Sequence, residues 1–319
     1  MAIEQAPRLR VGRRPLHGVL LLDKPLGLSS NQALQKAKWL LRAEKAGHTG
    51  TLDPAASGLL PLCFGAATKF SQVSLDADKV YQAQVRLGVT TDTGDAEGQV
   101  LQVSSVALDR SRLETVLERF RGDIEQVPPM HSALKYQGRP LYAYAREGVT
   151  LERAPRHVSI LELQATWNPE LPEQIALWVR CSKGTYIRTL AEDIGAALGC
   201  GASLTALRRL ASGRLSVDRA ITLDALECLG EQERQACLLP ADELLHDWPA
   251  IELDDSEAAR FITGLRRRVS QADCAAVRVY GPRVSQTTDR RPLLGSAHIR
   301  AGELIPDRLL SPPEIQAQA

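Results

Sequence analysis

One carboxylate in the middle of an unusual fifteen-residue stretch is the first candidate for chemistry in this chain. Residues 47–61 read GHTGTLDPAASGLLP, with three glycines and two prolines. This composition disfavours a regular helix or strand, so it predicts a loop of fixed shape. Asp53 precedes Pro54, and a residue before proline is restricted to extended conformations. A rigid loop that presents one anion is typical of a nucleophile or a general base.

Helix capping is the alternative interpretation of Asp53. Aspartate is favoured at the N-cap of a helix and proline at the first helical position. For an isolated Asp-Pro pair, capping would be the preferred interpretation. The Gly-His-Thr-Gly-Thr run before the pair and the Ala-Ala-Ser-Gly run after it favour a functional loop, because a simple cap does not require so many special residues.

A second dense motif, CSKGTYIRTL at 181–190, contains a candidate partner for the carboxylate. The pattern predicts the end of a strand, a turn at Gly184, and a helix capped by Thr185 that extends to Leu198. Arg188 would lie in the first turn of that helix, where the backbone already carries partial positive charge. A surface arginine is the simplest alternative, but this position favours a specific anionic partner.

Tyr81 is the first aromatic candidate. Tyr81, Ala83, Val85 and Leu87 alternate with polar residues, which predicts a half-buried strand. From this periodicity alone, Tyr81 is interpreted as a core or interface residue. The acid- and threonine-rich turn at 88–95 follows the strand, and its Asp95 is a weak candidate for a contact at the site.

Further elements follow from the same kinds of pattern. Residues 18–22 predict a buried strand, and a helix capped by Ser29 or Ser30 is expected to reach Leu41. The spacing at 113–120 predicts an amphipathic helix ending at Gly122. Residues 158–166 and 175–181 predict an antiparallel strand pair, and a helix is expected from Thr222 to about 229.

Length and composition indicate a globular protein of two domains. The chain has 319 residues, of which 44% are hydrophobic and 24% charged. No apolar run approaches 18 residues, and residues 1–14 lack the apolar segment of a secretory signal. The six cysteines have no metal-ligand spacing and are interpreted as reduced and mostly buried, as in a cytosolic protein.

Net charge does not by itself indicate a nucleic-acid partner. The formal net charge is only +1, but the distribution of charge matters more than its sum. Local basic groups occur at Arg8, Arg10, Arg13 and Arg14, and again at 266–268. From charge alone, each group is as consistent with a solvated surface as with an RNA contact.

Residues 47–61 closely resemble the catalytic motif of the tRNA pseudouridine-55 synthases, the TruB-type family. The motif DKPLGLSS at 23–30 resembles the first motif of that family, and 181–190 and 204–213 resemble later ones. The similarity extends from about residue 18 to about residue 310. Leu210 is a departure, because the family pattern has threonine after the arginine pair.

The resemblance implies that the protein isomerises a uridine to its carbon-linked isomer without a cofactor or a metal. It implies that Asp53 is the catalytic carboxylate and that Arg188 pairs with it. Tyr81 would then stack on the extracted base, with Tyr186 beside that base. An aromatic platform of this kind offsets part of the free energy needed to extract a base from its stack.

The resemblance also implies supporting roles. Leu207 would line the floor of the pocket, and His48 would have a structural or RNA-shaping role near the flipped base rather than act as a general acid. Lys24 would support the catalytic loop from behind and is also a possible RNA contact.

Two further regions are implied to contact RNA. The polar segment around 126–138 predicts a long exposed loop, and the short helix after it is expected to span about 141–147. In the resembled family this region closes over the tRNA arm, so Lys135, Arg139 and Arg146 become possible phosphate contacts. The looser C-terminal similarity is to a small RNA-binding barrel of the PUA type, in which Arg266, Arg267 and Arg268 are possible RNA contacts.

The predicted architecture is α+β, with a mixed, largely antiparallel central sheet flanked by helices and a small C-terminal PUA-like β-barrel domain. The predicted segments are a flexible basic arm at 1–16, a catalytic domain at 17–246 with an RNA-clamping insert at about 124–152, a PUA-like domain at 250–311 and a tail at 312–319. The expected partner is the T-arm of tRNA. The protein is expected to be a cytoplasmic monomer that needs no protein partner and no membrane.

Three other functions stay open from the sequence. A guide-RNA-dependent pseudouridine synthase would share the catalytic motif, although the insert resembles that of the stand-alone bacterial type. A non-catalytic RNA-binding or tRNA-folding factor would use the same surface, although Asp53, Tyr81 and Arg188 are all present. Without the resemblance, a hydrolase with an aspartate nucleophile would also remain, but it would usually need a second acid or base.

Overall fold

The computed structural model describes residues 12–283 and 291–318. Two sheets dominate it, one of ten strands and one of five, and two short hairpins lie outside them. The first fourteen strands belong to the large sheet, apart from β5–β6 and β8–β9, which form the two hairpins. They are β1 Gly18–Lys24, β2 Ala46–His48, β3 Ala56–Phe64, β4 Lys79–Leu87, β5 Val89–Thr91, β6 Val100–Val103, β7 Gly122–Gln126, β8 Lys135–Tyr136, β9 Arg139–Pro140, β10 Arg156–Trp167, β11 Gln174–Cys181, β12 Ala202–Ser212, β13 Leu215–Ser216 and β14 Ile221–Thr222.

The remaining strands form the second sheet, and the helices cover both sheets. These strands are β15 Ala250–Glu252, β16 Arg267–Arg268, β17 Cys274–Tyr280, β18 Leu293–Arg300 and β19 Glu303–Leu309. The helices are α1 Ser30–Leu40, α2 Ser71–Asp76, α3 Arg110–Glu118, α4 Leu141–Ala145, α5 Ile187–Ala197, α6 Leu223–Cys228, α7 Glu231–Ala236, α8 Asp255–Phe261 and α9 Pro312–Gln316.

The large sheet is mixed but mostly antiparallel, which confirms the predicted fold class. Its order is β14-β1-β3-β12-β4-β11-β10-β7, with β2 paired to β3 and β13 paired to β12. Only β1–β14 and β3–β12 are parallel pairs among its described pairings. The β3–β12 pair lies in the middle of the sheet and joins residues about 150 positions apart in the chain. In this pair, Gly58 lies opposite Arg209.

Apolar residues on both faces of the large sheet form its cores. One cluster packs β4, β11 and β12 against α3 and α5. A second packs β1 and β3 against α1 and α6. A third cluster joins β1 and β3 to Leu293 and Leu310 of the C-terminal region, so the two sheets share apolar contacts. The five-stranded sheet, ordered β15-β17-β18-β19-β16, also has its own core.

The prediction that residues 47–61 form a loop is wrong in part. His48 ends strand β2, and β3 begins at Ala56, so only the residues between them lie outside regular structure. The glycines and prolines did not prevent strand formation, because Pro61 is accommodated within β3 opposite Leu21 of β1. Gly58 adopts a φ of +101° within this strand, a backbone conformation that favours glycine.

Several local predictions also need correction. Thr185 does not cap α5: Tyr186 occupies the N-cap position, and the Thr185 hydroxyl donates instead to the Ser182 carbonyl. The segment 126–138 is not one long loop, because it contains β8, which forms a hairpin with β9, whereas the short helix predicted after it is present as α4. The tail at 312–319 contains α9, whose Glu314 pairs with Lys69. Only two of the six cysteines, Cys63 and Cys181, are buried.

The antiparallel pair β10–β11 agrees with its prediction, as do the N-cap role of Ser29 for α1 and the position of α6, which follows Thr222. Helix α3 ends at Glu118, four residues before the predicted end. The domain boundaries at 17–246 and 250–311 and the PUA likeness of the second sheet stay predictions.

Candidate active site

The Asp53 loop connects β2 to β3 and is held by hydrogen bonds to its backbone. The Leu52 N–H donates to Ser30 Oγ at 2.7 Å, and this hydroxyl in turn lies 3.0 Å from the Leu52 carbonyl. The Gly27 N–H donates to the Pro54 carbonyl at 2.8 Å. The chain continues from Pro54 into strand β3 and not into a helix, so the capping interpretation of Asp53 is excluded.

Arg188 holds the Asp53 carboxylate from the first turn of α5. Its Nη2 lies 3.0 Å from Asp53 Oδ2, and its Nη1 lies 3.2 Å from Asp95 Oδ2. The guanidinium also donates to the carbonyls of Thr93 and His131. The Arg188 side chain is only 7% exposed, whereas that of Asp53 is 44% exposed. The ion pair therefore has a buried cation and a carboxylate that remains open to a substrate.

A cleft of about 420 Å³ opens beside this ion pair. It is called the central cleft below. Its lining includes five of the six residues predicted from the sequence as catalytic or substrate-binding: Asp53, Tyr81, Tyr186, Arg188 and Leu207. These residues come from three elements, β4, α5 and β12, and from the connections that precede β3 and α5. The β3–β12 pairing brings the Asp53 loop and Leu207 together.

The two tyrosines are positioned by different means. Tyr81 is nearly buried in β4 opposite Val179, and burial raises the pKa of its hydroxyl, so the ring stays neutral near neutral pH. Tyr186 is half-buried, and Gln126 fixes its backbone: the Tyr186 N–H donates to Gln126 Oε1, and Gln126 Nε2 donates to the Tyr186 carbonyl. Burial likewise raises the pKa of the Tyr186 hydroxyl. Two neutral rings that border one cleft can contact the face of a planar base.

His48 is placed differently from these residues. It lies in β2 opposite Leu62 and is absent from the lining of the central cleft. Burial lowers the pKa of its imidazole. Its buried Nδ1 has no hydrogen-bond partner within residues 12–283 and 291–318. This position of His48, outside the central cleft and just before the Asp53 loop, agrees with a structural role for its side chain.

Two residues of the site, Arg209 and Lys79, were not selected from the sequence, and a third was only a weak candidate. Arg209 is 1% exposed, and its guanidinium donates to the carbonyls of Leu59 and Gly50. Lys79 is also buried, and burial lowers its pKa to about 8. Asp95 was only a weak candidate, yet it is the second carboxylate on Arg188. In the sequence, the adjacent arginines Arg208 and Arg209 are the feature that could have drawn attention to Arg209.

Lys24 is fully buried and donates from Nζ to the carbonyls of Pro25 and Leu28. It has no exposed surface for an RNA contact, and its position fits the supporting role. Burial lowers the pKa of its ammonium group to about 8.

The other predicted RNA contacts lie on the surface. Lys135 is exposed on β8, Arg139 pairs with Glu147, and Arg146 lies over the Tyr142 ring at 5.3 Å. In the C-terminal sheet, Arg266 and Arg268 are exposed.

Arg267 in the same sheet pairs with Glu257. At the N-terminus, Arg13 is exposed and Arg14 pairs with Glu231. Arg8 and Arg10 lie outside the described residues.

Residues 12–283 and 291–318 lack two classes of feature. No group of three or more histidine, cysteine or acidic side chains there could hold a metal ion. No helix in that part of the chain is both long enough and apolar enough to cross a membrane.

Comparison with known proteins identifies two matching family models. Residues 38–187 match the model described as TruB family pseudouridylate synthase (N terminal domain). Residues 188–246 match the tRNA pseudouridylate synthase B C-terminal domain.

Curated relatives match over nearly the whole chain. A tRNA pseudouridine synthase B of Verminephrobacter eiseniae is 60% identical over 97% of this chain and 93% of its own length. The protein of the same name from Cupriavidus taiwanensis is 55% identical over 94% of this chain and 96% of its own length.

Solved structures support the fold. A Cbf5-Nop10-Gar1 complex contains a chain that matches with a TM-score of 0.70 and 23% identity, over 98% of this chain and 92% of that one. A chain in an H/ACA RNP bound to a substrate RNA matches with a TM-score of 0.67 and 22% identity, over 93% of this chain and 86% of that one.

Proposed function

This chain belongs to the TruB family of pseudouridylate synthases, and we propose that it isomerises a uridine of tRNA to pseudouridine. We further propose that the target is the uridine at position 55 in the T-loop. The observation that carries the proposal is the convergence of Asp53, Arg188, Tyr81 and Tyr186 on one cleft. The names of the relatives at 55–60% identity support tRNA as the substrate.

The proposed reaction begins with a uridine that leaves its stack and enters the central cleft. Unstacking costs a few kcal/mol, and contact with an aromatic ring returns about 1–3 kcal/mol. Tyr81 and Tyr186 offer such contacts. The bond between the sugar and N1 then breaks, the base turns, and a bond to C5 forms as the C5 hydrogen leaves as a proton and N1 takes up a proton. Product and substrate are isomers, so no oxidant or reductant is consumed.

Asp53 supplies the carboxylate for this rearrangement. Arg188 holds the carboxylate in place through a charge-assisted contact of 3.0 Å at the edge of the central cleft. Leu207 provides an apolar floor, and Lys24 and His48 support the loop. Lys135, Arg139 and Arg146 would contact phosphates of the T-arm, and Arg266, Arg267 and Arg268 would contact RNA from the second sheet.

Tritium release from uridine C5 tests the proposal directly. A T-arm hairpin and a full-length tRNA transcript, each labelled with tritium at uridine C5, should both release label when the intact protein is added. Asp53→Asn should abolish release and retain RNA binding. Asp247→Asn is the matched control, because Asp247 is an exposed surface residue paired with Arg214.

Two outcomes would contradict the proposal. Tight RNA binding without release by the unmodified protein would favour the non-catalytic RNA-binding function. Release that survives Asp53→Asn would mean that another group performs the chemistry. The monomeric state, the absence of a required protein partner and a cytoplasmic location stay predictions.

A further inference from the structure

A second cleft, of about 500 Å³, lies at the C-terminal end of α1, away from the residues that carry the chemistry. It is called the Trp39 cleft below. Its lining includes Arg13, Lys38, Trp39, Arg42 and Arg234. The proposed reaction uses none of these side chains.

Trp39 is exposed for 70% of its surface. An indole ring loses favourable burial when it stays in water, so a tryptophan this exposed is unusual on a folded protein. No cation lies over the ring in the described part of the chain, although three other cation–ring contacts occur there. The ring is therefore available to stack on another planar group.

Four cations line the same cleft as this ring, and two of them have no ion-pair partner among the described residues. Neither Arg13 nor Lys38 has a carboxylate within ion-pair distance in the described residues, whereas Arg42 shares Glu231 with Arg14. Helix α1 contains no acidic residue. The exposed face from Asn31 through Gln35 to Trp39 is therefore neutral or basic, which suits a polyanion.

Arg42 adds an independent observation. It follows the C-cap of α1 with a φ of +55°. Glycine usually fills this helix-terminating position, because other residues lose about 1 kcal/mol or more there. Its side chain donates to the Gly12 carbonyl and pairs with Glu231, which directs a cation to the rim of the cleft.

The distance between the two clefts is short compared with the length of a folded tRNA. Ser30, at the start of α1, contacts the Asp53 loop. Trp39 is nine residues further along the helix, which corresponds to about 14 Å at 1.5 Å per residue. A folded tRNA with a base in the central cleft extends well beyond this distance and has unpaired nucleotides in several loops, whereas the unpaired nucleotides of a minimal T-arm hairpin are those of the loop that delivers the target base.

We propose that Trp39, with Arg13, Lys38 and Arg42, binds an unpaired nucleotide of the tRNA outside the arm that enters the central cleft. Trp39 stacks on its base, and the cations contact neighbouring phosphates. The inference rests on the proposed function for the identity of the RNA. It adds a recognition surface that distinguishes the whole tRNA from its isolated arm.

The experiment compares full-length tRNA with a minimal T-arm hairpin. Trp39→Ala should raise KM for tRNA about fivefold or more and leave kcat unchanged, with values for the hairpin within about twofold of the unmodified protein. Trp39→Phe should keep most of the affinity, because phenylalanine can still stack. Thermal unfolding should be unchanged, since the side chain is exposed.

A charge variant and its matched control test the phosphate contacts. Lys38→Gln should weaken tRNA binding and reduce the slope of log affinity against log salt by roughly one. Lys36→Gln removes the same charge from the same helix, but Lys36 already pairs with Glu227, so tRNA binding should not change. Equal effects of the two lysine variants would overturn the phosphate contact.

The remaining outcomes also decide the proposal. Equal losses on tRNA and hairpin with Trp39→Ala, or no loss on tRNA, would overturn it, as would a loss with Trp39→Phe as large as that with Trp39→Ala. Equilibrium binding is repeated in the Asp53→Asn background. Binding can then test the Trp39 cleft even if the unmodified protein releases no tritium, which would refute the proposed function alone.

Discussion

At the scale of single residues, the site depends on one guanidinium shared by two carboxylates. Arg188 contacts Asp53 and Asp95, and two backbone carbonyls accept its remaining hydrogen bonds. Arginine suits this position because its planar fork offers several donors in fixed directions, whereas lysine offers a single point of charge. The contact with Asp95 is buried on both sides, and the contact with Asp53 faces the cleft.

Replacing Arg188 with methionine should therefore cost both stability and activity. The buried Asp95 carboxylate would lose its partner, at a cost of about 3–5 kcal/mol in the free energy of unfolding. Chemical denaturation measures this loss, and tritium release should fall sharply. The double variant Arg188→Met/Asp95→Asn should regain part of the stability but not the activity. No regain would mean that Asp95 is not the group left unpaired.

Glu192 provides a pH-dependent prediction. Burial chiefly raises the pKa of its carboxyl group, with Asp193 contributing. The folded protein therefore holds this proton more tightly than the unfolded chain, and the stability contributed by the protonated group is lost as the pH rises through its folded pKa. Glu192→Gln should stabilise the protein at neutral pH and give no gain below the ordinary glutamate range. Denaturation at both pH values measures the difference, and an equal gain at both would contradict it.

At the scale of elements, the β3–β12 pair joins the two halves of the site. A side chain at Gly58 would place its Cβ 2.3 Å from the Arg209 carbonyl, and the φ of +101° disfavours any other residue. This close approach is what allows β3 to pair with the strand that carries Leu207 and Arg209.

Gly58→Ala should therefore destabilise the protein by about 2–5 kcal/mol, from backbone strain and steric overlap together. Thermal and chemical unfolding measure the change. Gly47→Ala is the matched control, because nothing lies within 4 Å of the Cβ it would add. If the two variants lost similar stability, the close approach would not be the cause.

At the scale of the whole molecule, an apolar cluster connects the two sheets. Leu293 and Leu310 pack with Val19 and Leu59 of the large sheet. Polar contacts reinforce this packing: the Tyr280 hydroxyl donates to Asp242 at 2.6 Å, and Lys69 donates to the Leu309 carbonyl at 2.9 Å. Because the sheets share buried surface, neither part is expected to keep its full stability alone.

The protein should therefore unfold in one cooperative transition. Scanning calorimetry should give a calorimetric enthalpy close to the van't Hoff enthalpy. A variant ending at Pro249 would expose Leu244 and Leu245 and should unfold at a lower temperature. Two separate transitions in the full chain, or an unchanged midpoint after truncation, would contradict this prediction.

Much of the fold and the main site residues could be predicted from the sequence. Alternation identified β4, β10 and β11, because side chains of a strand point to opposite faces in a period set by local geometry. The resemblance singled out the five predicted residues that line the central cleft. The strand predictions are confirmed because element type is recorded over short stretches of chain, whereas the roles of the five residues stay predictions.

Elsewhere the sequence misled or gave no signal. The composition of 47–61 predicted a loop, yet pairing with β1 and β12 stabilises a strand through Gly58 and Pro61. Thr185 has the residue type of a cap, but its hydroxyl donates to the Ser182 carbonyl, and no capping hydrogen bond from a helix N–H to a side chain is formed at the start of α5. In the first case strand pairing between distant segments outweighed a local preference of about 1 kcal/mol, and in the second a local turn hydrogen bond took the place of the cap.

The sequence by itself determined the residue types of the site, the class of fold and the family. Only the tertiary structure decided that Arg188 holds Asp95 as well as Asp53, that Arg209 is buried beneath the loop, and that cations line the Trp39 cleft. The reason is that such contacts join residues far apart in the chain. Their free energy depends on distance and burial in three dimensions, which short-range patterns of residue type do not record.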